Sequence, residues 1–194
     1  MATLIYAMNT SLDGYTSDRE GNFGWATPGR EFLEAINELE RRVGTYLYGR
    51  RLYETMAVWD TAHLEPGAPA FSPGNGDLER EFADMWRAAD KIVFSTKLSQ
   101  TSTARTRIER TFEPDRIRQL KATSDRDLTV GGPHLAAAMI AADLVDEFHA
   151  FVHPFIVGGG TPFLPQNVRV PLELVREQRL GAIVHMHYRR SASP

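Results

Sequence analysis

The chain has 194 residues, of which 42% are hydrophobic and 24% are charged, ordinary proportions that exclude whole-chain disorder and fibrous repeats. The formal net charge is -3 with basic residues spread along the chain, so no basic face for nucleic acid is evident. The absence of cysteine excludes disulfides, thiolate nucleophiles and cysteine-ligated zinc sites.

No segment has the pattern of a targeting signal or a membrane span. The first residues lack a basic region followed by a long apolar run, and no apolar run approaches roughly 20 residues. We therefore expect a cytoplasmic protein with a small-molecule substrate and with neither nucleic acid nor membrane as partner. The length fits a single domain over residues 1–194.

The first part of the chain alternates strand and helix patterns. Residues 3–8 form an apolar run that predicts a buried strand, which ends at a turn-prone stretch. Apolar residues recur at helical spacing over residues 29–43. Residues 45–49 predict a second strand that leads into a short helix over 50–56, and the proline- and glycine-rich stretch 60–76 indicates a lid or a mobile surface loop.

The same alternation continues beyond this stretch. Asp77 is the expected cap of a helix that ends near Ala89, and residues 91–94 predict a third strand. A helix over 112–121 and a strand over 128–130 follow, and the fixed φ of Pro133 suits the start of the next helix.

The last third has the two-residue period of β-strands. Apolar and polar residues alternate over 146–153 and 182–189, and residues 172–177 complete a hairpin around Gly181. The sequence therefore predicts an α/β fold with a central mixed, mostly parallel sheet and antiparallel C-terminal strands.

A phosphate-binding turn is indicated at Gly131, Gly132, Pro133 and His134. Two glycines allow a close backbone approach, and the helix that follows presents free N–H groups to an anion. A plain strand-to-helix turn is the alternative, because the full G-x-G-x-x-G pattern is absent.

Basic or hydroxyl side chains also stand at the ends of two further predicted strands. One strand ends at Gly49 and is followed by Arg50 and Arg51, and the other is followed by Ser95, Thr96 and Lys97. The carboxyl ends of strands line the ligand crevice of an open α/β sheet. Solvated surface charge is the alternative for each basic residue. The glycine run around Gly159 indicates either a close approach to a cofactor or a flexible turn.

Two histidine pairs each share a predicted strand face, His149 with His153 and His185 with His187. We expect solvated or interface histidines and predict no metal site, since no carboxylate or third histidine is evident beside either pair. Motifs of metalloproteases, phosphate-loop enzymes and serine hydrolases are also absent.

In their order and spacing, these pieces resemble the dihydrofolate reductase-like superfamily, and most closely the branch of the C-terminal reductase domain of riboflavin biosynthesis (RibD). The resemblance covers nearly the whole chain. It rests on SLDGY at 11–15, YGRRLYE at 48–54, VFST at 93–96, VGGP at 130–133 and residues 154–163 with their triple glycine.

The resemblance implies a three-layer fold that binds NADPH across the carboxyl ends of the strands. By this comparison the phosphates meet Gly49, Arg50 and Arg51, the adenosine end lies near Ser95, Thr96 and Lys97, and the pyrophosphate is cradled by Gly131, Gly132, Pro133 and His134. The resemblance also implies that Gly159 approaches the cofactor and that the protein is a homodimer.

The substrate pocket departs from that of dihydrofolate reductase. That family places a carboxylate early in the first helix, whereas counting from Trp25 gives Arg30 or, one residue on, Glu31. The riboflavin branch suggests that Asp13 faces the substrate, with a turn role as the alternative. We thus expect an NADPH-dependent reductase of a small carbonyl, imine or pterin-like compound with Asp13 and Glu31 as catalytic candidates. A non-catalytic, dimeric nucleotide-binding module is the alternative.

Overall fold

The structure, a computed structural model, describes residues 1–65, 67–68 and 70–191. The first half comprises β1 (Leu4–Ser11), β2 (Tyr15–Ser17), α1 (Arg30–Glu40), β3 (Val43–Gly49), α2 (Arg50–Met56), α3 (Gly76–Ala88) and β4 (Asp90–Phe94). The second half comprises β5 (Thr106–Glu109), α4 (Pro114–Thr123), β6 (Asp127–Gly131), α5 (Pro133–Ala141), β7 (Glu147–His153), β8 (Thr161–Pro162), β9 (Leu172–Leu180) and β10 (Ile183–Arg190).

Eight of the strands form one sheet in the order β5-β4-β3-β6-β1-β7-β10-β9. The strands from β5 to β7 in this order run parallel, whereas β10 runs antiparallel to both β7 and β9. The predicted α/β class with a mixed, mostly parallel sheet is therefore confirmed. Strands β2 and β8 form a separate short pair.

Helices cover both faces of the sheet, which gives three layers. On one face, Ile117 of α4 and Met139 of α5 pack with Leu4 and Leu128 of the sheet. On the other face the helices α1, α2 and α3 contribute Leu39, Tyr53 and Trp86 to a second cluster around the other side of the strands. Among the described helices, none combines the length and the apolarity that crossing a lipid bilayer requires.

Two local features differ from the sequence-based expectations. Asp77 does not cap α3, because the N-cap is Asn75 and the Asp77 carboxylate instead pairs with Arg30 of α1. The strands β2, β5 and β8 were not predicted, since two to four residues are too few to establish a period.

The stretch predicted as a lid or mobile loop is tied to α3 on both sides. Glu79 of α3 accepts hydrogen bonds from the backbone of Phe71 and Ser72. Arg87 donates to the carbonyls of Trp59 and Ala62. Pro66 and Pro69 of this stretch, and residues 192–194 of the predicted domain, lie outside the described residues.

Candidate functional site

The carboxyl ends of three parallel strands meet at one edge of the sheet. Gly49, the last residue of β3, lies opposite Phe94 of β4, and Tyr48 lies opposite Gly131 at the end of β6. The loops that follow these three strands therefore begin side by side.

A crevice opens beside β1 at the same edge. β1 pairs with β6 only from Leu4 to Tyr6, whereas on its other side it pairs with β7 as far as Ser11. The chain leaves β6 for α5 on one face of the sheet and leaves β1 for α1 on the other face. Open α/β sheets bind their ligands in such a crevice, where the connections from two neighbouring strands go to opposite faces of the sheet.

The turn from β3 into α2 combines open space with positive charge. Gly49 is the N-cap of α2, and a Cβ atom added there would meet no atom within 4 Å. Arg50 pairs with Glu54 one turn later at 3.1 Å, and Arg51 is exposed. A negatively charged ligand would therefore meet no steric obstacle at this turn.

The turn after β4 is shaped by the hydroxyl of Ser95. Its Oγ atom accepts hydrogen bonds from the backbone N–H groups of Lys97, at 3.2 Å, and Leu98, at 3.0 Å. Thr96 and Lys97 are exposed. The Ser95 hydroxyl thus holds the turn that carries the Lys97 ammonium at this corner of the edge.

The fold itself requires glycine at both positions of the double glycine at the end of β6. A Cβ atom on buried Gly131 would lie 2.7 Å from Cε1 of Tyr48, so only glycine fits there. Gly132 has a φ of 94°, a conformation that favours glycine. Pro133 begins α5 as predicted, and His134 is exposed in its first turn. The first N–H groups of α5 face this edge, as expected of a helix that begins here.

Asp13 connects the turn after β1 with the loop after β7. Its Oδ1 atom accepts hydrogen bonds from Ser11 Oγ at 2.7 Å and from Val157 N at 3.0 Å, and its Oδ2 atom accepts one from Gly158 N at 2.8 Å. The hydrogen bonds from Val157 and Ser11 are the main reason that the pKa of Asp13 falls to about 2. The ionised Asp13 carboxylate thus has the contacts expected of a turn residue, the alternative role that the sequence allowed for it.

The triple glycine brings the chain against β2. A Cβ atom on Gly160 would lie 2.8 Å from the Cα atom of Asp18, and one on Gly159 would lie 3.0 Å from Nε of Arg19. Both glycines have φ angles near 140°. The close approach that the glycines allow is thus to backbone and to Arg19 of the same chain.

Neither residue at the start of α1 has a free charged group. The exposed Glu31 carboxylate accepts a hydrogen bond from Gly181 N at 2.8 Å, at the turn of the β9–β10 hairpin. Arg30 pairs with Glu34 and Asp77, both at 3.0 Å. The first turn of α1 is thus held to the hairpin and to α3.

Aromatic side chains line the ends of β1 and β7 in a cluster whose contacts the sequence did not indicate. The indole of Trp25 stacks on Phe155, with centroids 5.9 Å apart, and meets the imidazole of His153 edge-on at 5.6 Å. His153 Nε2 lies 2.9 Å from Asn9 Oδ1. Burial lowers the pKa of His153, so the neutral ring donates its Nε2 proton to Asn9. The cluster combines flat apolar surfaces with polar groups.

The histidines of β7 and β10 meet across the two strands, in addition to sharing the strand faces that their spacing predicted. His149 stacks on its cross-strand partner His187, with centroids 4.0 Å apart, and its Nδ1 atom lies 2.9 Å from Nε2 of His185. His149 and His185 are only 4% and 9% exposed, so the expectation of solvated side chains is wrong for them. Glu147 adds a carboxylate beside His149 and His187.

Comparison with solved structures identifies the fold. A putative riboflavin biosynthesis protein of Shewanella sp. PV-4 is 20% identical with a TM-score of 0.73, and the similarity covers 99% of this chain and all of that one. A Thermotoga maritima diaminohydroxyphosphoribosylaminopyrimidine deaminase/5-amino-6-(5-phosphoribosylamino)uracil reductase is 20% identical with a TM-score of 0.66. The similarity covers 98% of this chain but only 57% of that one. Enterococcus faecalis dihydrofolate reductase, complexed with NADP(H) and RAB-propyl, is 15% identical with a TM-score of 0.56, and the similarity covers 98% of this chain and 97% of that one.

Sequence comparison identifies the family. The uncharacterized protein YyaP of Bacillus subtilis (strain 168) is 25% identical over 183 residues, which are 92% of this chain and 89% of that protein. Residues 2–186 match the family model of the RibD C-terminal domain. Because this match covers nearly the whole chain, the protein belongs to the RibD C-terminal domain family.

Proposed function

We propose that this protein is an NADPH-dependent reductase of a small carbonyl, imine or pterin-like compound. The observation that carries the proposal is the crevice beside β1, at the edge where the turns after β3, β4 and β6 start side by side. Family membership and the reductase names of the similar structures support the same class of reaction.

The residues at this edge fit a nicotinamide dinucleotide in charge and in space. Gly49 leaves open volume at the start of α2. Arg50, Arg51 and Lys97 supply cations at two of the turns, and a cation beside the adenosine ribose favours the additional phosphate of NADPH. In the proposal the pyrophosphate lies between Gly49 and the start of α5 at Gly132, and Gly159 helps to shape the far wall of the site.

The protein's own contribution is to orient the two reactants and to exclude water. The bound cofactor would supply the hydride. We propose that the substrate lies against Trp25, whose Nε1 atom is buried and has no hydrogen-bond partner within the described residues. Asp13 then acts as a positioning residue, because its carboxylate holds the loop at Val157 and Gly158.

One observation favours a second candidate, a nucleotide-binding module without hydride chemistry. The carboxylates of Asp13 and Glu31 both accept hydrogen bonds from backbone N–H groups, so neither is set up to donate a proton to a substrate. Oxidation of NADPH by the purified protein against a panel of carbonyl, imine and dihydropterin compounds separates the two candidates. Turnover of any compound supports the reductase, and cofactor binding without turnover supports the module.

The cofactor is tested by titrating the protein with NADPH and with NADH while nicotinamide fluorescence is recorded. We expect saturable binding of NADPH, weakened about tenfold by Lys97→Ala or Arg51→Ala through the loss of a charge-assisted hydrogen bond. Arg126→Ala is the matched control, because Arg126 precedes β6 at the opposite edge of the sheet. Absence of NADPH binding at millimolar concentration would exclude the NADPH-dependent reductase.

A further inference from the structure

The face of the sheet beneath α1 carries a cluster of one carboxylate and three imidazoles. Glu147 and His149 lie two residues apart on β7 and therefore share a face. His187 of β10 is the direct cross-strand partner of His149. His185 lies two residues before His187 on the same face. The cluster lies toward the amino end of β7, whereas the proposed cofactor edge is formed by carboxyl ends.

The Glu147 carboxylate lies at the spacing of neighbouring metal donors from both His149 and His187. Glu147 Oε2 lies 3.4 Å from His149 Nε2 and 3.4 Å from His187 Nε2, and all three atoms lie within 4.8 Å of one another. Tetrahedral bonds of about 2.0–2.1 Å place neighbouring donor atoms roughly 3.3 Å apart. Two imidazoles and a carboxylate suit a divalent transition metal.

We propose that Glu147, His149 and His187 bind one divalent transition-metal ion of the zinc class. His149 and His187 both line a groove of about 470 Å³ between α1 and the strands β9 and β10, which would give a bound ion access to water or a small molecule. Three protein ligands with a fourth position open to water or a small molecule is an arrangement that zinc sites use. This proposal departs from the prediction from sequence that the chain has no metal site.

An unsatisfied polar atom supports the proposal independently. His187 Nε2 is buried and has no hydrogen-bond partner within the described part of the chain. Its distance of 3.4 Å from the carboxylate is long for a strong hydrogen bond. A metal ion between the two groups would remove this deficit, because the nitrogen lone pair would then have a partner.

His185 is placed to orient one of the ligands. When His149 binds through Nε2, its Nδ1 atom carries the proton and donates to His185 Nε2, 2.9 Å away. Such partners fix the tautomer of metal-bound histidines.

Arg42 is the competitor of the ion for the carboxylate. Its guanidinium contacts Glu147 Oε2 and lies 3.4 Å from Asp127. Because Arg42 repels a cation, Arg42→Ala is expected to bind the metal more tightly.

The proposal is tested on the full chain without a histidine tag. A chelator first removes bound metal, and the protein is then titrated with metal ions. Zn²⁺ is added in competition with a chromophoric chelator, and Co²⁺ is added while the visible absorption of its tetrahedral complex is recorded. We expect one equivalent of either metal to bind saturably. His187→Asn and Glu147→Gln should abolish saturable binding, and His185→Phe should weaken it about 10–100-fold.

His134→Asn is the control, because His134 is exposed on α5 and should leave metal binding unchanged. Thermal unfolding without metal establishes that each variant is folded, and added Zn²⁺ should raise the Tm of the wild type but not that of Glu147→Gln. The proposal is overturned if the wild type binds neither metal saturably, or if binding survives both His187→Asn and Glu147→Gln.

Discussion

Glu79 and His63 form a buried pair in which Oε2 of the carboxylate lies 3.1 Å from Nε2 of the imidazole, with side chains 2% and 1% exposed. The two carboxylate oxygens also accept hydrogen bonds from Phe71 N at 2.8 Å and from Ser72 N at 2.7 Å. One buried carboxylate of α3 thus holds the proline- and glycine-rich stretch at two places, His63 and Phe71–Ser72.

Glu79→Gln should therefore destabilise the protein by roughly 2 kcal/mol, the usual size of the effect when a buried donor loses its partner. An amide has one acceptor oxygen, and its NH₂ group would face a backbone N–H. Urea unfolding measures the difference. Glu38→Gln is the control, since Glu38 pairs with Arg41 at the surface and should change stability by less than about 1 kcal/mol. Equal effects of the two substitutions would contradict the anchoring role.

Asp13→Asn should remove a pH-dependent part of the stability. The pKa of Asp13 in the folded protein is about 2, below its ordinary value of 3.8. The carboxylate therefore stabilises the fold above pH 3.8, and this contribution is lost as the pH falls toward 2. We expect the Tm of the variant to be lower than that of the wild type at neutral pH and the difference to shrink in acid.

Thermal unfolding of both proteins over a pH series measures this change. Asp115→Asn is the matched control, because the Asp115 side chain is 94% exposed and bonds only to Arg118 of its own helix. A Tm difference between Asp13→Asn and the wild type that is constant with pH would show that the carboxylate charge is not what matters.

His153 should also make the stability depend on pH, but through its neutral form, whereas Asp13 does so through its charged form. Burial lowers its pKa below 6.5, so the folded protein resists protonation that the unfolded chain accepts. The contribution is present above the unfolded pKa and is lost as the pH falls below it. We expect the Tm of the wild type to fall more between about pH 7.5 and about pH 5.5 than that of His153→Gln. His134→Gln should keep the wild-type profile, and parallel profiles for the wild type and His153→Gln would contradict the prediction.

The alternation of strands and helices was predictable because apolar periodicity and glycine or proline mark each element along the chain. Pro133 at the start of α5 and Gly181 at the hairpin are examples. The contacts of the candidate site were not predictable in the same way. Asp13 meets Val157 across 144 positions of sequence. His187 meets Glu147 only because the register of β7 and β10 brings them together. Local patterns contain no information on such pairings.

The homodimer implied by the resemblance remains a prediction, and β9 is the place to test it. β9 is an edge strand of the sheet, and its Leu174 and Val175 are 49% and 47% exposed. Edge strands have unpaired backbone groups and readily pair with another chain. Light scattering should give the mass of a dimer for the wild type and of a monomer for Leu174→Lys. Leu64→Lys, at an exposed site outside the sheet, should remain dimeric, and a monomeric wild type would exclude the prediction.

Two matched glycines test where the cofactor lies. Gly49 and Gly29 are the N-caps of α2 and α1, both in extended backbone, and a Cβ atom at either would meet no atom within 4 Å. Alanine at either position should therefore change stability by at most about 1 kcal/mol. Gly131→Ala is unsuitable for this comparison, because its Cβ atom would collide with Tyr48 and destabilise the protein.

Gly49→Ala should weaken NADPH binding by about tenfold or more, because the added methyl group occupies volume proposed for the phosphates. Gly29→Ala should bind NADPH as the wild type does, since Gly29 lies at the start of α1 and not at the turn after β3. Fluorescence titration measures the affinities, and unfolding curves establish that the two variants are equally stable. If both bind NADPH with the same affinity, the phosphates do not lie at Gly49, and the cofactor must then occupy another part of the edge.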